Sequence, residues 1–149
     1  MVCSIQPIKI SEILYENVKN SKQKKIIMIG SRVSSSNWNV IHDKLLKYQN
    51  GYAYKSSKAA LHSATISLAK DYLKDKIIVT IIHPGHVNTK ISKDYKKTKN
   101  DLQKAPRKDG VLMQIEPYES DEMLYDMIEK LNLTDTMKFF NIDMTEIPF

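Results

Sequence analysis

Glycine is scarce in this chain of 149 residues, which contains only Gly30, Gly51, Gly85 and Gly110. No two of them lie close together. A glycine-rich turn that cradles a dinucleotide pyrophosphate or a nucleoside triphosphate needs several glycines within a few residues. The chain therefore contains neither a dinucleotide fingerprint nor a P-loop.

Cysteine and long hydrophobic runs are also lacking. Cys3 is the only cysteine, which excludes an internal disulfide and a cysteine-built metal site. No run reaches the roughly 18 apolar residues that a transmembrane helix needs, so we expect no contact with a membrane. The first residues have no basic segment ahead of an apolar stretch, so we expect no secretory signal and a cytoplasmic location.

Arginine and aromatic residues are few where positive charge is densest. The net charge is +6, but Arg32 and Arg107 are the only arginines. The lysine-rich run from Lys90 to Lys108 has Tyr95 as its only aromatic residue. Surfaces that follow a nucleic-acid strand combine positive charge with stacking aromatic rings. We therefore predict a solvated loop at 90–108 and no nucleic-acid partner.

Three short runs rich in apolar residues predict buried strands, at 26–30, 77–82 and 138–142. Between the first two, residues 53–74 are rich in Ala, Leu and Lys and predict a long helix. A strand, a helix and a strand in this order form a βαβ unit with parallel strands. We therefore predict one α/β domain over residues 1–149, with helices covering a small parallel sheet.

Further helices are predicted before and after this unit. Pro7 fits the first turn of a helix, with apolar residues on one side of it at Ile10, Ile13, Leu14 and Val18. A short helix is predicted at 40–46, then a turn at Asn50-Gly51. A loop is expected to about Pro117, followed by an amphipathic helix with Ser120 as its N-cap.

A tyrosine four residues before a lysine can form a proton-transfer pair, but this spacing alone is weak evidence. Four of the eight tyrosines have it: Tyr15–Lys19, Tyr54–Lys58, Tyr72–Lys76 and Tyr95–Lys99. The surroundings favour Tyr54–Lys58. Ser31 directly follows one predicted strand and His83-Pro84-Gly85 directly follows the other, and the ends of parallel strands line the ligand crevice of such sheets.

The chemistry of this group is coherent. A tyrosine with a pKa of about 10 is a poor base near neutral pH, and a cation one helical turn away favours its phenolate. Lys58 can supply that cation for Tyr54. Ser31 can donate a hydrogen bond to a carbonyl oxygen as negative charge develops on it.

These stretches resemble the short-chain dehydrogenases/reductases, and within them the C-factor and Sniffer type of carbonyl reductase. The resemblance is carried, in the family's order, by "KKIIMIGSRVSS", "GYAYKSSKAALHSATISLAKDY", "IIVTIIHPGHVNTKI" and "MKFFNIDMTEIPF". It implies a Rossmann-like, doubly wound parallel sheet, of which this chain is the C-terminal half. It also implies an oxidoreductase that transfers hydride between NADP or NAD and a carbonyl or alcohol substrate.

The resemblance also implies roles for individual residues. Ser31 would polarise the substrate carbonyl, Tyr54 would be the general acid/base, and Lys58 would bind the nicotinamide ribose and lower the pKa of Tyr54. The nicotinamide and its phosphates would be framed by Pro84, Gly85, Val87 and Thr89. No catalytic role is predicted for Cys3, His42, His62 and His86.

The largest departure from the family is the lack of its opening strand, glycine-rich turn and following helix. We therefore expect a truncated or mis-started product whose first strand is an exposed sheet edge. We expect this chain to bind NAD(P)H weakly or not at all. If the DNA upstream of Met1, read in frame or across one frameshift, encodes Thr-Gly-x-x-x-Gly-x-Gly, the gene has been started at the wrong position. The alternative is a non-catalytic remnant that keeps a subunit interface, with homo-oligomers formed through the helices at about 7–19 and 53–74.

Smaller departures lie within the matching stretches. The family's helix asparagine aligns near Cys3, and the segment between Ser31 and Tyr54 is longer than in relatives. "WNVIHDKLLKYQ" is the expected insertion, looped out of the fold. Met144 stands where the family usually has glycine, and Phe149 where it usually has tryptophan.

Overall fold

The computed structural model describes residues 2–41, 51–89 and 114–149. The lysine-rich run at 90–108, His42, the Tyr95–Lys99 pair and most of the helix predicted at 40–46 lie outside these described residues. A helix at Ser36–Ile41 is described, so helical structure in this region begins before the predicted start.

The main sheet has three parallel strands, as predicted. They are β1 (Lys25–Ile29), β2 (Ile78–His83) and β5 (Phe139–Asn141), in the order β1-β2-β5. Lys25 pairs with Ile78 and Ile81 with Phe139. Parallel strands bring all their carboxyl ends to the same edge of the sheet, and Ser31 and Pro84-Gly85 follow two of these ends.

The two outer strands differ from the central strand in burial. All six residues of β2 are buried, because strands cover it on both sides and helices on both faces. β1 alternates between buried and partly exposed residues, and Ile29 is 45% exposed at its end. Within the described residues β1 pairs only with β2, so it is a sheet edge, as expected, rather than the fully buried strand that its composition suggested.

Five α-helices are described. In chain order they are α1 (Ile5–Ile13), α2 (Tyr15–Lys19), α3 (Ser36–Ile41), α4 (Tyr52–Tyr72) and α5 (Pro117–Lys130). A short 3₁₀ helix (Arg32–Ser34) follows β1, and two more occur at Leu73–Asp75 and Leu133–Asp135. Within the described ranges, no helix is both long and apolar enough to cross a membrane.

The first predicted helix is two helices, because the backbone of Leu14 departs from helical geometry, with φ −90° and ψ 5°. Pro7 lies in the first turn of α1, as predicted. The apolar side predicted for this helix is exposed in the structure at Ile10, Ile13 and Leu14. The residues of α1 and α2 that pack against the core are Ile8, Tyr15 and Val18.

The prediction that Ser120 caps the last long helix was wrong. The helix α5 begins at Pro117 and its N-cap is Glu116, which forms a reciprocal capping box with Glu119. Proline suits the first helical position because its missing N–H would have no partner there. Ser120 is instead buried, and its Oγ donates a hydrogen bond to the carbonyl oxygen of Pro84, 2.9 Å away.

The core has one cluster on each side of the sheet. The larger contains residues from β1, β2, β5 and α4, together with Trp38 of α3. The smaller packs β2 and β5 against α5 through Met127 and Leu131. Trp38 is 6% exposed, so the segment expected to be looped out begins inside the core.

A second, two-stranded sheet lies beyond β2. Strands β3 (His86–Val87) and β4 (Gln114–Ile115) pair in parallel. The prediction of a continuous loop to about Pro117 was therefore wrong at these residues. Strands of two residues are too short to produce the alternating pattern by which a strand is detected in a sequence.

Candidate active site

Ser31 lies directly beyond the carboxyl end of β1. It is buried and extended, and it precedes the short 3₁₀ helix at Arg32–Ser34. The backbone N–H of Gly30 donates to the carbonyl oxygen of Ile82 at 2.9 Å, which continues the β1–β2 pairing. The residues that follow β1 and β2 are therefore neighbours at the carboxyl edge of the sheet.

Tyr54 and Lys58 lie on the first two turns of α4. Tyr54 is 49% exposed. The Lys58 Nζ donates a 2.7 Å hydrogen bond to the carbonyl oxygen of Ile29, which joins the helix to the end of β1, two residues before Ser31. Burial lowers the pKa of Lys58, and an electrostatic interaction with the exposed Cys3 partly opposes this shift.

The other two described Tyr–Lys pairs have structural roles. Tyr15 donates to the carboxylate of Asp75, and Lys19 Nζ lies 3.2 Å from the same carboxylate. The hydrogen bond to Asp75 raises the pKa of Tyr15, the opposite of what a general base requires. Tyr72 is buried against Tyr15, and burial raises its pKa as well.

Pro84 and Gly85 form the turn that leaves β2. Gly85 has a φ of +83°, where a side chain is strained, and a Cβ added to it would lie 2.7 Å from Cδ1 of Ile115. Ser120 of α5 donates a hydrogen bond to the carbonyl oxygen of Pro84. Glycine is therefore favoured at position 85 mainly by the positive φ of the turn, since the Cδ1 atom lies at the flexible end of the Ile115 side chain.

Val87 and Thr89 follow this turn. Val87 pairs with Ile115 in the small sheet and is partly buried. The backbone N–H of Thr89 donates to the carbonyl oxygen of Val87 at 2.9 Å, and the Thr89 side chain is exposed. Both residues thus continue from the turn at Pro84-Gly85 along the same edge of the fold.

The predicted site residues therefore fall into two groups along one edge. Lys58 contacts the end of β1 and so joins the Tyr54 helix to the Ser31 loop. Within the described residues no hydrogen bond links the Tyr54 hydroxyl to Ser31 or to Lys58, and the predicted roles of all these residues stay predictions.

His62, for which the sequence predicted no catalytic role, and Ser34 are buried close to Ser31. His62 is 4% exposed, and its Nε2 lies 3.2 Å from the Oγ of Ser34. Burial lowers the pKa of His62 to about 4, with a smaller contribution from the charge of Lys58. One signal was available: His62 follows Lys58 by four residues and therefore shares its side of the helix.

His83 and Asn141 end the paired strands β2 and β5 and carry buried polar atoms. Neither ring nitrogen of His83, nor the Oδ1 of Asn141, has a hydrogen-bond partner among the described residues. Burial lowers the pKa of His83 to about 3, and the charge of Arg32 contributes. The imidazole is therefore neutral near pH 7. The described residues contain no group of three or more His, Cys, Asp or Glu side chains able to hold a metal ion.

Comparison with known proteins identifies the family. The family model described as short chain dehydrogenase matches residues 6–100. An uncharacterized oxidoreductase of Schizosaccharomyces pombe is 27% identical over 149 residues, which cover 96% of this chain and 54% of that protein.

Solved structures share the fold. The carbonyl reductase Sniffer of Drosophila melanogaster superposes with a TM-score of 0.73 and 23% identity, over 99% of this chain and 54% of that chain. An NADPH-bound carbonyl reductase from chicken fatty liver gives a TM-score of 0.74 and 22% identity, over 97% of this chain and 53% of that chain. The prediction of a partial Rossmann-like fold is confirmed.

The chain spans about half the length of the relatives it matches. The family match covers more than half of the chain, and the stretches from β1 through the turn after β2 lie within it. The chain belongs to the short-chain dehydrogenase family.

Proposed function

We propose that this chain carries the reactive half of an NAD(P)-dependent oxidoreductase that interconverts a carbonyl and an alcohol. Ser31, Tyr54 and Lys58 act on the substrate, and the segment from Pro84 to Thr89 holds the nicotinamide. Family membership supports the type of reaction.

The contact between Lys58 and the end of β1 carries this proposal. Of the three described Tyr–Lys pairs, Tyr15–Lys19 is bonded to Asp75, and the tyrosine of Tyr72–Lys76 is buried. The third pair, Tyr54–Lys58, lies beside the carboxyl edge of the sheet. Ligands of open α/β sheets bind at this edge. The pair therefore has the exposure and the location that proton transfer to a bound substrate requires.

The three side chains would divide the work as follows. The Ser31 Oγ donates a hydrogen bond to the substrate oxygen and stabilises the negative charge that develops there. The Tyr54 hydroxyl gives a proton to that oxygen in reduction and accepts one in oxidation. The positive charge of Lys58, one helical turn away, favours the phenolate form of Tyr54 when the proton has left.

The residues present fit the nicotinamide half of the cofactor. Lys58 uses one N–H for the carbonyl oxygen of Ile29, and an ammonium has three, so two can bind ribose hydroxyls. Gly85 allows a close approach to the backbone because it has no side chain. When bound, the nicotinamide supplies or accepts the hydride.

NADP and NAD both remain candidates for this cofactor. Among the structures with this fold, the chicken carbonyl reductase is described as NADPH bound. A 4-hydroxyisoleucine dehydrogenase is described as complexed with NADH and succinate. We propose weak binding of either one, because the chain contains no glycine-rich turn for the pyrophosphate.

A reduction assay tests this proposal. NADPH and NADH at millimolar concentration are incubated with the protein and a panel of aldehydes and ketones, and alcohol formation is measured by mass spectrometry. Tyr54→Phe is expected to lower the rate at least about a hundredfold, since general acid catalysis contributes about 10²–10⁴. Tyr52→Phe, two residues away and 77% exposed, is the matched control and should keep the activity.

Lysine variants give a second matched pair. Lys58→Ala is expected to abolish the activity, whereas Lys55→Ala on the same helix should retain it. Equal activity in the Tyr54→Phe and Tyr52→Phe proteins, or no alcohol formed by the unaltered protein with either cofactor, would contradict the proposed reaction.

The exposed apolar side of α1 supports a second proposal, that this chain forms homo-oligomers. Ile10, Ile13 and Leu14 are 54%, 78% and 46% exposed, and they are close together in the chain. Exposed apolar patches often mark protein interfaces.

Sedimentation analysis tests this second proposal. We expect a dimer or a larger species in the unaltered protein. Ile13→Glu should dissociate it, whereas the control Leu133→Glu, elsewhere on the surface, should not. A monomer at all protein concentrations would overturn this proposal.

A further inference from the structure

His83 and Asn141 are buried polar residues that the proposed reaction does not use. They are 8% and 5% exposed. Among the described residues, neither ring nitrogen of His83 has a hydrogen-bond partner, and the Oδ1 of Asn141 has none either. Most buried polar atoms in native proteins are paired, and an exception has a cause such as an ordered water, an ion or a catalytic role. These three atoms therefore need an explanation.

The two residues are neighbours on paired strands. His83 ends β2 and Asn141 ends β5, and they are directly opposite each other in the parallel pairing. Side chains alternate between the faces of a sheet, so residues two apart on a strand share a face. Ile81 and Phe139, two residues earlier, are also paired, and both belong to the larger core cluster. His83 and Asn141 therefore lie side by side on the face that α4 covers.

The end of this face is polar. Next to His83, on the side of β1, a Cβ added to Gly30 would lie 2.6 Å from Nε2 of His62, so the His62 ring lies over the glycine. The last row on this face thus carries two imidazoles and the amide of Asn141. The row before it is apolar and consists of Met28, Ile81 and Phe139. Buried water is found where the surroundings are polar and offer it two to four partners.

The unpartnered groups are complementary to a water molecule. The imidazole of His83 is neutral near pH 7, because burial lowers its pKa to about 3. In either tautomer a neutral imidazole has one N–H donor and one acceptor nitrogen, and the amide oxygen is an acceptor. A water can donate one O–H to Oδ1 of Asn141 and bond the ring with its oxygen or its second O–H.

The backbone of Asn141 is already bonded, so the unpaired oxygen is a property of its side chain. The N–H of Asn141 donates to the carbonyl oxygen of Thr145 at 2.8 Å, and its carbonyl oxygen accepts from the N–H of Met144 at 3.0 Å. A metal ion fits the site less well than water, since the described residues contain no group of three side chains able to hold one.

We propose that His83 and Asn141 bind one ordered water molecule, which bridges the imidazole ring and the amide oxygen and joins the carboxyl ends of β2 and β5. The site lies one residue before the Pro84-Gly85 turn. It rests on the strand pairing and on the unpartnered buried atoms, and it does not depend on the proposed reaction.

A crystal structure of the unaltered protein, at a resolution that shows ordered waters, tests the site directly. We expect one density peak within about 3.2 Å of both a ring nitrogen of His83 and the Oδ1 of Asn141. A hydrogen bond made directly between the ring and the amide would overturn the proposal. The absence of a peak within reach of both groups would overturn it as well.

The stability of variants tests whether the two residues act as one site. His83→Leu and Asn141→Leu each leave the other residue buried with fewer partners, so each should lower the melting temperature. Asn20→Leu, at an exposed asparagine, is the control and should change it little. The double variant should lose less than the sum of the two single losses, because it removes both groups together. Additive losses would overturn the proposal, and if a variant fails to fold, the crystal structure of the unaltered protein still decides.

Discussion

The two loops at the carboxyl edge of the sheet are held in different ways. The Ser31 loop after β1 is buried and contacts His62 of α4, and Lys58 of the same helix bonds Ile29 at the end of β1. The turn at Pro84-Gly85 after β2 is partly exposed, and its described supports are Ser120 of α5 and the two-residue strands β3 and β4. The first loop is therefore part of the core, whereas the second rests on its surface.

This difference matches what each loop is proposed to do. A group that polarises a carbonyl must be fixed within a fraction of an ångström, and packing against a rigid helix provides that. The segment from Pro84 to Thr89 is proposed to hold the nicotinamide, and segments with few buried contacts open locally most readily. The comparison predicts that the same kind of substitution lowers the free energy of unfolding more in the Ser31 loop than in the Pro84-Gly85 turn.

The largest expected effect is on the pH dependence of stability. His62 packs on the first loop and His83 precedes the second, and burial lowers their pKa values to about 4 and about 3, against 6.5 for a free histidine. Because the unfolded chain binds protons that the folded chain does not, each histidine should reduce stability as pH falls from 6.5 to 4. Each contributes a slope of about 1.4 kcal/mol per pH unit in that window.

Urea unfolding between pH 4 and 7 measures this slope. His62→Phe and His83→Leu should each remove a similar part of it, while substituting an exposed lysine such as Lys22 should not change it. A slope that is the same in all four proteins would show that these histidines are not buried in their neutral form.

Glycine-to-alanine changes compare the two loops directly. A Cβ at Gly30 would lie 2.5 Å from Cγ2 of Ile81 and 2.6 Å from Nε2 of His62, inside the core, and we expect a loss of about 2–3 kcal/mol. At Gly85 the nearest atom is Cδ1 at the flexible end of Ile115, which can move. The positive φ remains and costs about 1–2 kcal/mol.

The free energies of unfolding of both variants, measured in urea, decide the comparison. Gly30→Ala should be the less stable, and the amide signals around Ser31 should shift in it but not in Gly85→Ala. A larger loss in Gly85→Ala would reverse our account of which loop belongs to the core.

Ser120→Ala tests the support of the second loop from α5. It removes the hydrogen bond to the carbonyl oxygen of Pro84, which is 2.9 Å long and partly buried, so we expect a loss of about 1 kcal/mol. Ser57→Ala, which removes an exposed bond to the carbonyl oxygen of Tyr54, is the control and should cost less. Hydrogen exchange at the amides of 85–88 should be faster in Ser120→Ala only.

The smallest expected effect is a gain in stability away from both loops. Met144 has a φ of +66°, a left-handed conformation that favours glycine. Met144→Gly should raise the free energy of unfolding by up to about 1 kcal/mol, since the strain relieved exceeds the entropy lost. Thermal unfolding measures the gain. A lower melting temperature in Met144→Gly would show that the Met144 side chain contributes more than its strain costs.

Much of the fold was visible in the sequence because the information was local. The strands are short runs rich in apolar residues, and α4 is a long run of good helix formers, so their type was predicted and their limits shifted by only one or two residues. The helix start at α5 was misjudged because serine is a favoured N-cap residue and glutamate is not. The signal for the true start was Pro117 at the first helical position, together with Glu119.

The features of the fold that the sequence did not predict depend on contacts between residues far apart in the chain. The pairing of β3 with β4 and the burial of Trp38 leave no periodic pattern in the chain. His62 and Ser34 are 28 residues apart, and nothing in either segment indicates that they meet. The apolar residues of α1 follow a helical spacing, but spacing alone does not distinguish a side that packs on the core from one that is exposed, as at Ile10 and Ile13.

The central claim is that the carboxyl edge holds a nicotinamide cofactor beside Ser31 and Lys58. An NMR titration of the ¹⁵N-labelled protein with NADPH, and separately with NADH, to millimolar concentration tests it most directly. We predict amide shifts grouped at Ser31, Lys58 and Gly85 that disappear in Lys58→Ala but persist in Lys55→Ala. The absence of shifts at these amides with both cofactors, or equal shifts in the two lysine variants, would contradict the account.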